Sequence, residues 1–355
     1  PGIYWNALKM LMDSDAPLKV PLPDFWSQIP WFWRFLLTSN ESRFKRATDA
    51  LSYLCYNSIK DTKELLEYTK IGEKLEQNGC AFIYDTELSF NKSTKSWDER
   101  SSRGFSSEVL NAKKIAKITP TINEKFKYAY LSHHWAKVSE PKDIVQGLAD
   151  SAKMNEVTFR QERVDSVCEK LNSILINFDK GNTKYDAVVI AAGINSVSLA
   201  KSLGDFLPMT AERGYNLTIP LSNIDIDIPI VFADRGIVAT SLESGLRIGG
   251  WAEYAHQSRP ANPNYFDSIA RISKDLFPGL NIENANYWMG SRPSTPDSVP
   301  VISKSLKIDR VFYNCGHGHY GLTHAATSAN LLCSLIEGEQ NSNEIKAFSI
   351  DRFLN

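Results

Sequence analysis

The segment Asn314-Cys315-Gly316-His317-Gly318-His319-Tyr320-Gly321-Leu322-Thr323 sets three glycines and two histidines within ten residues. The apolar run Val311-Phe312-Tyr313 before it reads as a strand, while Leu322, Ala325, Ala329, Leu332 and Ile336 recur at helical spacing. A glycine-rich turn between a strand and a helix presents unpaired backbone N–H groups and the positive end of a helix dipole. Such a turn suits an electron-rich ligand. Gly316, Gly318 and Gly321 also spell GxGxxG. That pattern needs a second strand ending in an acid about 20 residues on. Glu337 sits instead in a polar stretch with no strand before it, so a first βαβ unit is not expected here.

The histidines His317, His319 and His324 are a second option, as metal ligands of a hydrolase. No Asp or Glu lies within the loop to complete such a site, so its backbone is the expected actor. His133 and His134 are neighbours that would point to opposite faces of an extended segment, so no shared site is expected.

Two other segments carry possible chemistry. Residues 185–196 contain the apolar run Ala187-Val188-Val189-Ile190, which reads as a strand buried on both faces and ends in Ala191-Ala192-Gly193. Small residues there either admit a ligand or merely fit a strand-to-turn junction. Residues 288–302 hold Arg292 among Pro293, Pro296 and Pro300. A guanidinium on a stiffened segment can grip a carboxylate through two parallel bonds; an ordinary surface arginine is the alternative.

These groups need elements to hold them. The chain has 355 residues, 43% of them hydrophobic, enough for about two domains with a large core. The net charge of −1 gives no field for nucleic acid or an anionic membrane. Five widely spaced cysteines fit reduced thiols and a cytoplasmic location better than disulfides, zinc or an iron–sulfur cluster. No run of about 18 apolar residues occurs to span a bilayer. The start lacks a Met and a signal-like pattern, as if cut from a longer protein.

Residues 1–78 read as mainly helical, with an aromatic segment from Phe25 to Leu37. That segment is either a packed helix or a patch that dips into a membrane interface. A long polar helix is expected from Ser42 to about Gln77, with Leu51, Leu54, Ile59, Leu65 and Leu66 buried. Cys80–Tyr84 reads as a strand, 91–104 as a loop, 105–118 as a helix and Pro141–Met154 as a helix. Strands are expected at 157–159, 164–167, 174–178, 215–219, 228–232, 237–242 and 246–248, with turns at Asn172 and Gly181-Asn182. A helix is expected over 265–276.

In order and wording, these motifs resemble the flavoprotein family that includes D-amino acid dehydrogenase, D-amino acid oxidase, and glycine and sarcosine oxidases. GHGHYGLT (316–323) is similar to the oxidases, and AERGYNLTIPL (211–221) and WMGSRPSTPDSVPVIS (288–303) to the dehydrogenases. The opening twenty residues look like a dehydrogenase segment that follows the first βαβ unit. The resemblance covers nearly the whole chain and is looser between 75 and 140.

The resemblance implies an α/β plus α+β fold, with a split Rossmann-like FAD-binding domain interleaved with a mixed or antiparallel substrate domain. The boundaries expected are 79–137 and 206–287 for the substrate domain, and 138–205 and 288–355 for the FAD domain. It implies noncovalent FAD beside Gly316, His317, Gly318, His319, Tyr320, Gly321, Leu322 and Thr323, whose N–H groups would face the pyrimidine end of the flavin. Gly290 is a further cofactor candidate, and Val164, Ala192 and Gly193 match positions along adenosine. Arg292 matches the arginine for the substrate carboxylate, with Tyr215 and His319 in the substrate pocket. Cys315 is a conceivable site of a flavin thioether. The family's GxGxxG strand and turn would lie upstream of Pro1.

The expected activity is oxidation of a D-amino acid to an imino acid, hydrolysed to a 2-oxo acid and ammonia, in amino acid catabolism. No Asp or Glu stands out as a base. A glycine- or sarcosine-type amine oxidase is the nearest alternative, and a noncatalytic fragment another. The dehydrogenase-like opening and the aromatic segment favour a quinone or the respiratory chain as electron acceptor. Peripheral contact would then lie at the inner face of the cytoplasmic membrane.

Overall fold

The computed structural model describes residues 18–171, 173–338 and 343–354. The first seventeen residues, Asn172, residues 339–342 and Asn355 lie outside the described residues, so the turn expected at Asn172 falls there.

After the short strand β1 (Leu18–Lys19), the aromatic segment forms the helix Leu22–Leu37. The polar pattern behind it forms the helix Glu41–Tyr68, which begins where Asn40 accepts a hydrogen bond from the Ser42 N–H at 3.0 Å. It stops well before Gln77, because Lys70 takes a left-handed conformation (φ 61°) and the chain turns into β2 (Leu75–Glu76) and β3 (Cys80–Tyr84). Of its expected buried residues, Leu54 and Leu66 are buried.

Residues 91–104 are mostly helical rather than a loop. The helix Glu87–Ser102 starts at a capping box between Thr86 and Ser89. Its polar sequence hides the pattern because one side chain supplies its anchor: Trp97 stacks on Tyr130 and donates from Nε1 to the Tyr84 hydroxyl at 2.9 Å. The expected helix over 105–118 is instead β4 (Ser107–Leu110) followed by the helix Ala112–Ile118, divided by the cap of Asn111.

Next come β5 (Tyr128–Ser132), β6 (Lys137–Val138) and the helix Pro141–Met154, as its proline predicts. Residues 157–159 form no strand; Val157 and Phe159 are exposed. A meander follows in β7 (Val164–Lys170), β8 (Ser173–Phe178) and β9 (Gly181–Tyr185). β10 (Val188–Ile190) is shorter than expected and buried on one face only, with Val189 41% exposed.

The remaining strands are β11 (Thr210–Ile219), β12 (Ile230–Phe232), β13 (Ile237–Leu242), β14 (Gly245–Tyr254), β15 (Asn286–Ser294), β16 (Val301–Lys304) and β17 (Val311–Cys315). The helix Pro263–Leu276 lies between β14 and β15, and the helix Gly321–Ile336 follows β17.

The large sheet has the order β15-β11-β14-β13-β12-β3-β5-β4, with β1 beside β14. It is mixed, since β3 pairs parallel with β12 and β1 parallel with β14. A smaller sheet runs β10-β17-β16, its first pair parallel. The large sheet buries Ile230, Phe232, Ile237 and Ile248 against Ile269 and Leu276 of the helix Pro263–Leu276. Behind the small sheet, Leu54 meets Leu331, Leu332 and Phe312. Each such side chain removed from water contributes roughly 1.5–3 kcal/mol.

Candidate active site

Alternation along β11 divides its charged residues between two environments. Successive side chains of a strand face opposite ways. Glu212 therefore faces one side of the sheet, opposite Arg292 of β15, while Arg213 faces the other, opposite Glu253 of β14. Arg213 and Glu253 are fully buried, 3.0 Å apart. Tyr215 joins them, donating from its hydroxyl to Glu253 Oε2 at 2.6 Å.

Glu212 is the hub of the opposite face. Its Oε1 meets His319 Nε2 and lies 3.3 Å from Arg292 Nη1. Its Oε2 accepts from the Ser294 hydroxyl at 2.9 Å and the Tyr254 hydroxyl at 3.2 Å. Burial pushes the Glu212 carboxyl up. The bond and charge of His319, the charge of Arg292 and the Ser294 hydroxyl outweigh that, leaving it below the usual carboxylate range. Tyr254 moves well above the usual phenol range, through burial and then the Glu212 charge. Arg292 also donates to the Trp251 carbonyl at 3.0 Å, and Trp31 donates to the Ser294 carbonyl at 3.0 Å.

The glycine-rich loop closes onto this face. Ser294 forms a bridge with His317, and β15 touches both the turn Gly193–Asn195 and the turn Gly318–Tyr320. Gly316 (φ 78°) lies so close to Thr295 and Met209 that a β-carbon there would sit 2.8 Å from Thr295 Cγ2. The helix Gly321–Ile336 begins at Tyr320 without a side-chain cap, so its first N–H groups have no partner from that source.

Fit to an electron-rich, partly polar group rests on what this loop leaves unpaired. Buried side-chain atoms without a hydrogen bond include Asn314 Oδ1, His317 Nε2, His324 Nδ1 and Thr327 Oγ1, all between residues 314 and 327. Tyr320 and Leu322 are exposed beside them. Burial lowers His317 to about 4, and burial with the nearby His317 lowers His324 to about 4, so both rings are neutral at pH 7. Neutral rings, the unpaired Asn314 oxygen and exposed apolar side chains together suit an aromatic group with polar edges.

The structure thus brings Gly290, Arg292, His317, Gly318, His319, Tyr320, Gly321, Leu322 and Thr323 to one region, with Ala192 and Gly193 at the carboxyl end of β10. Gly290 lies opposite Gly214, with the Trp288 indole folded over it. Val164 opens β7 and packs at the edge of the core under β10 and β17. Tyr215 is corrected: its side chain is 1% exposed and engaged with Glu253, so it offers no surface to a substrate. Arg292 does not stand on a proline-stiffened turn; it is paired in β15 along with Pro293. Cys315 is buried, its thiol pushed up to about 12 chiefly by that burial, and it packs in the core.

The histidines diverge, His319 to Glu212 and His324 toward Cys55 Sγ at 3.4 Å. Among the described residues no group of three or more His, Cys, Asp or Glu is placed to hold a metal ion. Sequence reasoning missed Glu212, Gly214, Tyr254 and Ser294. A signal existed, since a Glu-Arg pair inside an otherwise buried strand requires partners of opposite charge on both faces.

The family described as FAD dependent oxidoreductase matches residues 27–335. The D-amino-acid oxidase of Bradyrhizobium diazoefficiens is 27% identical over 366 residues, covering 100% of this chain and 85% of that protein. Glycine oxidase from Geobacillus kaustophilus superposes with a TM-score of 0.74 at 18% identity, covering 84% of this chain and 81% of the other. L-proline dehydrogenase from P. horikoshii gives 0.74 at 16% identity, covering 85% and 82%.

Proposed function

The chain belongs to the FAD dependent oxidoreductase family, and we propose that within it the protein oxidises D-amino acids to imino acids, which water hydrolyses to 2-oxo acids and ammonia. The observation that carries this reading is Arg292, held on β15 beside the loop 316–323 by Glu212 and the Trp251 carbonyl. A guanidinium there anchors a carboxylate and fixes the α-carbon in one orientation, which alone lowers a barrier by several kcal/mol. The relationship to D-amino-acid oxidase supports the substrate class.

FAD, when bound, supplies the two-electron acceptor for the α-carbon. The residues that would hold it are Gly316–Thr323 at its pyrimidine end, Gly290 nearby, and Val164, Ala192 and Gly193 toward adenosine. The first N–H groups of the helix Gly321–Ile336 would stabilise negative charge at the pyrimidine end.

The domain arrangement belongs to the same reading. The large sheet, from segments within 79–137 and 206–287 plus β1 and β15, would carry the substrate, and the small sheet the cofactor.

A dehydrogenase passing electrons to a quinone or the respiratory chain is favoured over an oxidase by the helix Leu22–Leu37. Its outward side exposes Leu22 (85%), Trp26 (78%) and Trp33 (62%), with Phe25, Ile29 and Leu37 also exposed. Arg43 and Arg46 are exposed at the start of the next helix. Apolar and basic groups side by side suit peripheral contact with an anionic cytoplasmic leaflet. Among the described residues no helix is long and apolar enough to cross a membrane. Structural similarity to glycine oxidase favours the second reading, oxidation of glycine or sarcosine-type amines.

The test is an absorbance spectrum of the protein purified with FAD. A yellow protein that bleaches with D-amino acids and not with sarcosine is expected. Bleaching by sarcosine or glycine alone would favour the second reading, and no bleaching by any amine would reject both. Oxygen uptake compared with dye or quinone reduction distinguishes oxidase from dehydrogenase.

A further inference from the structure

The geometry points to the Glu212–His319 pair as the acceptor of the substrate's ammonium proton, with His319 Nδ1 the receiving atom. This rests on the amino acid reading above. Glu212 as a carboxylate only accepts hydrogen bonds, so the Nε2 that meets it carries the ring hydrogen. Nδ1 is then left with a lone pair. The imidazole is 53% exposed and the carboxylate 5%, so the pair runs from the protein interior toward the open side of the site.

Arg292 fixes the relation to substrate. Its Nη1 lies 3.3 Å from the same Glu212 Oε1 that meets His319. A carboxylate seated on Arg292 carries its α-nitrogen only one carbon further, which brings the ammonium to the neighbourhood of His319.

The proton must leave first, because the nitrogen lone pair forms the C=N bond. An N–H bond of the ammonium breaks, its electron pair stays on nitrogen, and the proton binds Nδ1. With FAD bound as the two-electron acceptor, the α-hydrogen would then leave with its electron pair and the nitrogen lone pair would form the C=N bond, giving a cationic imine and balancing charge. The imidazolium releases its proton through its exposed edge.

The titratable and charged groups around the ring come from several elements. Glu212 of β11 contacts Nε2 of the ring, and Arg292 of β15 shares the same carboxylate oxygen. Tyr254 of β14 reaches the ring only through Glu212. On the ring's own side are His317, Tyr320 and His324, with Arg100 and Cys55 acting on Tyr320.

The experiment follows kcat/KM against pH for the FAD-loaded protein, its His319→Gln variant and its Glu212→Gln variant, with one D-amino acid. The wild type should rise along an acid limb to a plateau. His319→Gln should lose about 10²–10³-fold at neutral pH and climb steadily with pH as the substrate amine loses its own proton. Glu212→Gln should lower kcat/KM at neutral pH, because His319 Nε2 loses the carboxylate that fixes the ring's tautomer and orientation. Propionate, a carboxylate without an amine, should still perturb the flavin spectrum of His319→Gln, since Arg292 remains to receive it. A His319→Gln profile parallel to wild type, an unchanged kcat/KM in Glu212→Gln, or propionate binding lost along with the rate would each overturn the assignment. If no amino acid bleaches the wild-type flavin, the failure lies in the amino acid reading and takes this assignment with it.

Discussion

Gly214 of β11 lies diagonally across from Arg292 of β15, whose guanidinium folds over it so closely that a β-carbon on Gly214 would lie 2.0 Å from the Arg292 Nη2. Any side chain at 214 displaces the guanidinium. Gly214→Ala should therefore raise KM for amino acids at least about tenfold, the loss of roughly 1.4 kcal/mol of binding, while the flavin spectrum persists. Steady-state kinetics beside an absorbance spectrum checks this, and an unchanged KM would separate Arg292 from substrate.

Arg292→Ala removes the carboxylate anchor and leaves Glu212 with His319 as its remaining basic partner. Truncating one member of a buried charge pair costs about 2–5 kcal/mol. KM for D-amino acids should rise about 30-fold or more, and a small amine lacking a carboxylate should be affected far less. Equal loss for both would indicate collapse of the site instead.

Tyr215→Phe should do the reverse. Its hydroxyl donates to Glu253 Oε2 at 2.6 Å and accepts from the Asn262 N–H at 3.2 Å, deep in the core. The variant should lose about 1–3 kcal/mol of stability in urea unfolding, with KM nearly unchanged. A large change in KM at unchanged stability would return Tyr215 to the substrate pocket.

His317 and His324 stay neutral in the folded protein down to about pH 4, because burial opposes their charge. The unfolded chain takes up these protons near pH 6.5. Stability of the FAD-free protein should consequently fall as pH drops through about 6.5 and level off in this contribution near 4. Urea midpoints for wild type and His324→Phe across that window check the sign: the variant should show the shallower decline.

The helix Leu22–Leu37 should bind vesicles. Wild type should sediment with vesicles rich in anionic phospholipid, and added salt should weaken the binding. Replacing both Trp26 and Trp33 with Ser should abolish it, since these side chains expose most of their surface. Equal sedimentation of the double variant would remove the membrane from the reading.

Part of the local structure around the candidate site was legible in the sequence. Gly316, Gly318 and Gly321 between an apolar strand and a helical repeat identify a loop whose amides are the chemistry, because glycine density and periodicity are local properties. Pro141 likewise marks a helix start without help from the rest of the chain. The helix Glu87–Ser102 was hidden because its stability comes from Trp97 among distant aromatic rings rather than from its own periodicity. Glu212 and Tyr215 were hidden for a related reason. Both lie in one strand, an odd number of residues apart, and only the pairing with β14 and β15 decides which faces the cleft and which the core. Residue types along the chain determined a glycine-rich turn between a strand and a helix and an arginine in a proline-rich segment, from which an electron-rich ligand and a carboxylate receptor are inferred. Strand register, a long-range property, decided that a buried glutamate stands between Arg292 and His319.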